Sequence, residues 1–216
     1  MGNNMNFTIV LRQHRCRLSK FKSTCFGDRK FKDKTMAKIK IRSTTVLGVY
    51  HNGEVALGAD GQASMGNTIA KSNVKKIRKL QDGKIVSGFA GSTADAFSLL
   101  EKFEEKLNAY GHNMKRAAIE LAKEWRRDRY LGKLEAMMVV ADKSELLIIS
   151  GTGDVLEPDL GIAAIGSGSM YAQAAAAALK KHAPHLSAEE IVRESLNIAA
   201  DICVFTNHNL IIEKPV

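Results

Sequence analysis

An α+β architecture, a four-layer α-β-β-α sandwich of two antiparallel sheets with helices outside, is predicted for residues 44–216 from three observations. Strand signals paired around tight turns are followed by two helical stretches, and the whole succession occurs twice. The strand segments are apolar on both sides rather than alternating, which calls for sheets covered on both faces. Hydrophobic residues make up 45% of the 216-residue chain and charged residues 25%. That composition supports a substantial core without disulfide staples.

Each element has its own local signal. Thr44–Tyr50 reads as a strand, His51-Asn52-Gly53 as a hairpin turn and Glu54–Asp60 as the returning strand. Lys76–Leu80 and Lys84–Phe89 form a second pair around Asp82-Gly83. Ser92-Thr93-Ala94-Asp95 is an N-cap signal opening a helix to Ala109, with Phe97, Leu100, Phe103 and Leu107 at helical spacing. The helical pattern resumes from about Asn113 to Tyr130. The second round has strands at Glu135–Ala141, Glu145–Ser150, Asp154–Leu156 and Ile162–Ile165, then a helix over Met170–Lys181. Ser187 and Glu190 make a capping box for a last helix ending near Cys203, and Asn209–Glu213 closes as a strand.

The net charge of +9 is not spread over this body. Residues 1–43 hold 12 of the 32 Lys/Arg but only two of the 23 acids, Asp28 and Asp33. The rest, 20 basic and 21 acidic side chains, is close to neutral. A basic leader says little about what the folded domain binds, so the body argues against nucleic acid as its ligand. The leader has no continuous apolar stretch of a secretory signal; it loosely fits a mitochondrial transit peptide, or is an idle tail, or translation starts at Met36. On each of these readings, residues 1–43 are a basic leader, removed or a misassigned start, outside the working domain. No apolar run approaches the roughly 18–20 residues of a membrane span. Cys16, Cys25 and Cys203 lack metal-ligand spacing and leave at least one thiol unpaired, so a reducing compartment is expected.

Several chemistries are missing. There is no P-loop, no H-E-x-x-H, no C-x-x-C and no nucleophile elbow around Gly166-Ser167-Gly168. Thr44-Thr45 stands out because the predicted fold starts there, directly after a dispensable segment. An internal threonine at a strand start is ordinarily just β-propensity. If the chain is cut between Ser43 and Thr44, however, Thr44 gains a free α-amine beside its own hydroxyl. That amine has a reference pKa near 8, so nucleophile and base lie on one residue.

The flanking motifs carry a resemblance. They are Thr44–Val46 (TTV), Gly58–Thr68 (GADGQASMGNT), Asn73–Ile77 (NVKKI), Gly88–Asp95 (GFAGSTAD), Ile165–Gly168 (IGSG) and Asp201–His208 (DICVFTNH). Together, from Thr44 to Glu213, the chain resembles the bacterial proteasome-like peptidases, relatives of proteasome β subunits with the N-terminal-nucleophile hydrolase fold. The resemblance implies a threonine-type endopeptidase with Thr44 as nucleophile, Lys76 as active-site lysine and Asp60 as its partner. It places Ser167 beside the nucleophile and the Gly91 N–H at the oxyanion; Ser92 stands where a second glycine is common. On residue type alone, Lys76 reads as an exposed strand lysine, Asp60 as a turn cap and Ser167 as part of a strand-to-helix turn.

The resemblance further implies a monovalent cation, sodium, on main-chain oxygens of Ala200, Cys203 and Thr206. It implies self-assembly as a double ring of hexamers and a partner ATPase ring that uses ATP and feeds protein substrates. It also implies a cytoplasmic location, or a mitochondrial one if the leader is a transit peptide. Two rival classes are an N-terminal-nucleophile amidase acting on a small molecule and a nucleic-acid-binding protein using the basic leader.

Overall fold

A computed structural model describes residues 41–42, 44–91, 93–127, 136–150 and 153–216. All of them fall in the second of the chain's two units, Lys38–Val216. Ser92 of the predicted N-cap signal, the predicted helical residues after Arg127 and Glu135 of the predicted strand lie outside the described residues.

In chain order the strands are β1 (Ile41–Arg42), β2 (Thr45–His51), β3 (Glu54–Ala59), β4 (Ala63–Met65), β5 (Thr68–Lys71), β6 (Ile77–Leu80) and β7 (Ile85–Gly91). Helices α1 (Thr93–Ala109) and α2 (Met114–Arg127) follow. Then come β8 (Ala136–Ala141), β9 (Leu146–Ile149), β10 (Val155–Leu156), β11 (Ile162–Gly166), helices α3 (Ser169–His182) and α4 (Ala188–Ile202), and β12 (Ile211–Glu213). Two antiparallel sheets dominate, one ordered β10-β9-β8-β7-β6 and the other β11-β2-β3-β12.

Three apolar interlayers define four layers. Phe103, Leu107, Leu121 and Trp125 of α1 and α2 pack on Met138, Val140 and Ile149 of the five-stranded sheet. Val46, Leu57, Val86, Val139 and Ile165 fill the space between the sheets. Leu47, Val49 and Ala56 meet Ala172, Ala176, Ile191 and Leu196 of α3 and α4 on the far side. Both faces of β2 and β3 are thus covered, which is why their sequences do not alternate. The predicted sandwich is the observed one.

Local rules set the ends of several elements. Asn52 and Gly53 take φ of 50° and 80°, the left-handed pair that a two-residue hairpin loop requires. Ser187 accepts from the Glu190 N–H while the Glu190 carboxylate accepts from the Ser187 N–H, so the capping box opens α4 as predicted. The sheets pack closely at glycines. A Cβ on Gly88 of β7 would lie 2.7 Å from Val46 Cγ1 and 3.0 Å from Ile77 Cδ1. Gly88→Ala is therefore expected to cost about 1–3 kcal/mol of stability through overpacking, measurable by urea unfolding.

The structure adds a third, three-stranded sheet, β1-β4-β5, that the sequence reading does not contain. In it Ile41 pairs with Met65 and Arg42 with Ser64, immediately ahead of Thr44. The strand containing Ile77 is also shorter than expected. It begins at Ile77, so Lys76 precedes β6 instead of belonging to it.

Candidate active site

Thr44 sits between β1 and β2 and is 5% exposed. The peptide unit joining it to Thr45 is held at both ends. The Thr45 N–H donates to Asp60 Oδ1 at 2.7 Å. The Thr44 carbonyl accepts from the Ser167 N–H at 2.8 Å and, more weakly, from Ser167 Oγ at 3.4 Å. Antiparallel pairing of β11 with β2 puts Gly166 opposite Thr45 and so delivers Ser167 to this carbonyl. Gly166 has φ of 96°, and a Cβ there would collide with the Thr44 carbonyl oxygen. Only glycine lets the two strands approach at this point.

Asp60 follows β3 and is 1% exposed. Its Oδ1 also accepts from Lys76 Nζ at 2.8 Å, and its Oδ2 from the Gln62 N–H at 2.8 Å and the Asn207 N–H at 3.4 Å. Four donors around an acceptor-only group is the arrangement of a buried carboxylate. Lys76 is itself 7% exposed, and no other salt-bridge partner lies within reach of its ammonium among the described residues. Burial pushes its pKa below the ordinary lysine value, and the Asp60 charge and hydrogen bond oppose part of that drop. The neighbouring Lys75 is exposed.

Thr44, Lys76 and Gly91 line one pocket with Val74, Phe89 and Leu100. Gly91 ends β7 with φ of 126°, exposed at the pocket. All five predicted site residues, Thr44, Asp60, Lys76, Gly91 and Ser167, therefore converge, brought from five separate segments of the chain.

Comparison with known proteins adds a second line. A family model described as proteasome subunit matches residues 41–214. The chain belongs to the proteasome family. Within that family, the ATP-dependent protease subunit HslV of Cytophaga hutchinsonii is 71% identical over 177 residues, covering 82% of this chain and 98% of the relative. HslV of Chlorobium phaeobacteroides is 58% identical over 177 residues, covering 82% and 97%. The crystal structure of a eukaryotic HslV from Trypanosoma brucei matches with a TM-score of 0.75 at 46% identity, covering 79% of this chain and 98% of that one. The family fold and the four-layer sandwich predicted from sequence agree.

Some contributors to this proteasome-family site carry no local sequence signal. Gln62, next to the aspartate, donates from its side chain to Ser64 Oγ and the Val204 carbonyl, each at 2.9 Å. Asn207 accepts from the Gly61 N–H at 3.1 Å and donates to the Ser72 carbonyl at 2.9 Å. Both fall inside the quoted motifs, but only the fold shows what they touch. Among the described residues no group of three or more His, Cys, Asp or Glu is placed to hold a metal ion. None of their helices is long and apolar enough to cross a membrane.

Proposed function

We propose that this chain is the peptidase subunit of an ATP-dependent protein-degrading complex and that Thr44, once its α-amine is free, is its nucleophile. The clamped Thr44–Thr45 peptide unit, with a buried lysine held on the same aspartate, carries the reading. A peptide fixed through both its N–H and its carbonyl anchors the Thr44 backbone, from which Oγ and the α-nitrogen both branch, at the pocket. That is the positional control a single-residue nucleophile and base needs.

In this mechanism the amine takes the Oγ proton as Oγ attacks the substrate carbonyl. A tetrahedral oxyanion forms toward the Gly91 N–H and collapses to an ester on Thr44, releasing the amine-side product with the proton. Water, activated by the same amine, then attacks the ester and restores Thr44. The Lys76 ammonium favours the neutral amine as a neighbouring like charge and steadies the developing alkoxide. Asp60 keeps that ammonium in place. Ser167 holds the Thr44 carbonyl, and the apolar pocket takes a side chain of the bound peptide.

The subunits stack as two hexameric rings, and an HslU-type ATPase ring unfolds substrates and passes them in. The relatives named as subunits of an ATP-dependent protease support the partner. A sodium ion at the end of α4 fits the donor set. The helix stops at Ile202, so the carbonyl of Ala200 lies in a last turn that no longer continues the ladder. Among the described residues the Cys203 carbonyl accepts from the Thr206 N–H alone, at 2.9 Å, leaving a lone pair. Ala200, Cys203 and Thr206 would hold the ion by main-chain oxygens and brace the loop after α4. The free, buried Cys203 suits a reducing compartment, cytoplasmic or, with the leader as a transit peptide, mitochondrial.

The test is degradation of a folded protein by the purified chain with and without an added ATPase ring and ATP, with light scattering for particle size. The expected result is a large ring particle, hydrolysis of short peptides, and breakdown of the folded protein only with partner and ATP. A fully active monomer confined to small amides would replace this reading with the small-molecule amidase.

A further inference from the structure

Thr45, the residue after the candidate nucleophile, has a side chain that the mechanism above does not use. It is fully buried. Its Oγ1 accepts from the Gly168 N–H at 2.9 Å and lies 2.7 Å from Thr206 Oγ1, in a hydrogen bond that either hydroxyl can donate. Thr206 is 5% exposed. A valine would fill the same volume on a buried strand, with no hydroxyl to satisfy. The hydroxyl pair instead ties together three segments: the start of β2, the turn from β11 into α3, and the loop after α4. Gly168 approaches so closely that a Cβ there would collide with Thr45 Oγ1 and come within 2.6 Å of Thr206 Oγ1.

Both far ends of this tie reach the site. Gly168 follows Ser167, whose N–H holds the Thr44 carbonyl. Thr206 precedes Asn207, whose N–H donates to Asp60 Oδ2 at 3.4 Å and whose side chain accepts from the Gly61 N–H at 3.1 Å.

We infer that Thr45 and Thr206 are a positioning pair, setting Ser167 against Thr44 on one side and the Asp60 turn beneath Lys76 on the other. The inference rests on the reading of Thr44 as nucleophile. Neither hydroxyl lines the pocket. Their effect passes through Ser167 and Asp60. Without the Thr45 hydroxyl, the Gly168 N–H loses its acceptor and Thr206 Oγ1 its partner, both in a buried place. Unpaired buried groups seek new partners, so the turn carrying Ser167 shifts. A displaced nucleophile lowers turnover, while the pocket that takes the peptide side chain keeps its walls.

The experiment measures kcat and KM separately on a short fluorogenic peptide. The proteins are the full chain as wild type, Thr44→Ala, Thr45→Val, Thr45→Ser, Thr206→Val, Thr206→Ser and the double valine variant. N-terminal sequencing gives the fraction with Thr44 exposed, and rates are expressed per exposed Thr44. Each valine variant is expected to lose about ten- to hundredfold in kcat, the range for a misplaced reacting group, at little change in KM. Each serine variant, which keeps the hydroxyl, recovers most of the rate. The double variant loses no more than the worse single one, because both remove the same bond. Should Thr45→Val not fold, Thr206→Val, which lies off the strand, decides alone. A wild type without Thr44-dependent hydrolysis overturns the peptidase reading. An active wild type beside valine variants of unchanged kcat overturns the positioning pair alone, as do serine variants no better than valine or losses that add in the double.

Discussion

Thr44→Ala is expected to abolish peptide hydrolysis while leaving the fold standing. The two bonds that fix this residue, from the Ser167 N–H to its carbonyl and from the Thr45 N–H to the Asp60 carboxylate, involve none of the Thr44 side chain and survive the substitution. Thermal melts should therefore shift by no more than about 1 kcal/mol in stability. The loss of Oγ removes the attacking atom. Thr44→Ser restores an attacking hydroxyl and should recover part of the rate. The pH profile carries the second half of the expectation. A free amine with a reference pKa near 8 acts as base only when neutral. Activity should rise with pH through that pKa in wild type. Protein still bearing residues 41–43 ahead of Thr44 has an amide nitrogen instead and should be inactive at every pH. Turnover surviving in Thr44→Ala would remove this residue from the chemistry.

How much of this was readable beforehand differs from element to element. The hairpin at Asn52-Gly53 and the capping box at Ser187 and Glu190 are local chemistry, and the chain obeys them. The four layers were readable because strands apolar on both faces have few ways to be covered. The strands β4 and β5 were not. They are short, and β5 is exposed throughout, so neither periodicity nor an apolar run marks them. Family motifs placed Asp60, Lys76 and Ser167, yet no motif says that Asp60 also holds the Thr45 N–H. The Thr45–Thr206 bond spans 161 positions in sequence and has no local signature at all. Lys75 and Lys76 are identical residue types side by side. Only packing makes one an exposed cation at the pocket and the other a buried partner of Asp60.

That difference between the two lysines gives the second large effect. Lys76→Ala is expected to lower turnover by about 10²–10³, the range for a lost electrostatic stabiliser. An exposed strand lysine would have cost no more than about half a kcal/mol of stability when truncated. Lys76 is buried and bonded to a buried carboxylate, so its removal leaves the Asp60 charge without its cation. Breaking such a pair from one side costs about 3–5 kcal/mol, and the backbone donors from Thr45 and Gln62 offset part of that loss. Rates must therefore be read well below the melting temperature of each variant, with folding checked by circular dichroism. Lys76→Arg keeps the charge but places a planar, wider head where a compact ammonium fits, so it should restore stability better than turnover. Asp60→Asn makes the converse test. An amide nitrogen facing the Gln62 and Asn207 N–H groups opposes donor to donor, so the turn beneath Lys76 should open and activity fall with it. Lys75→Ala, on a residue that lines the pocket but is exposed, should alter KM at most and leave kcat in place. Near-wild-type turnover in a folded Lys76→Ala protein would mean that the buried ammonium serves the fold and not the reaction, and a kcat loss in Lys75→Ala instead would move the assignment to its neighbour.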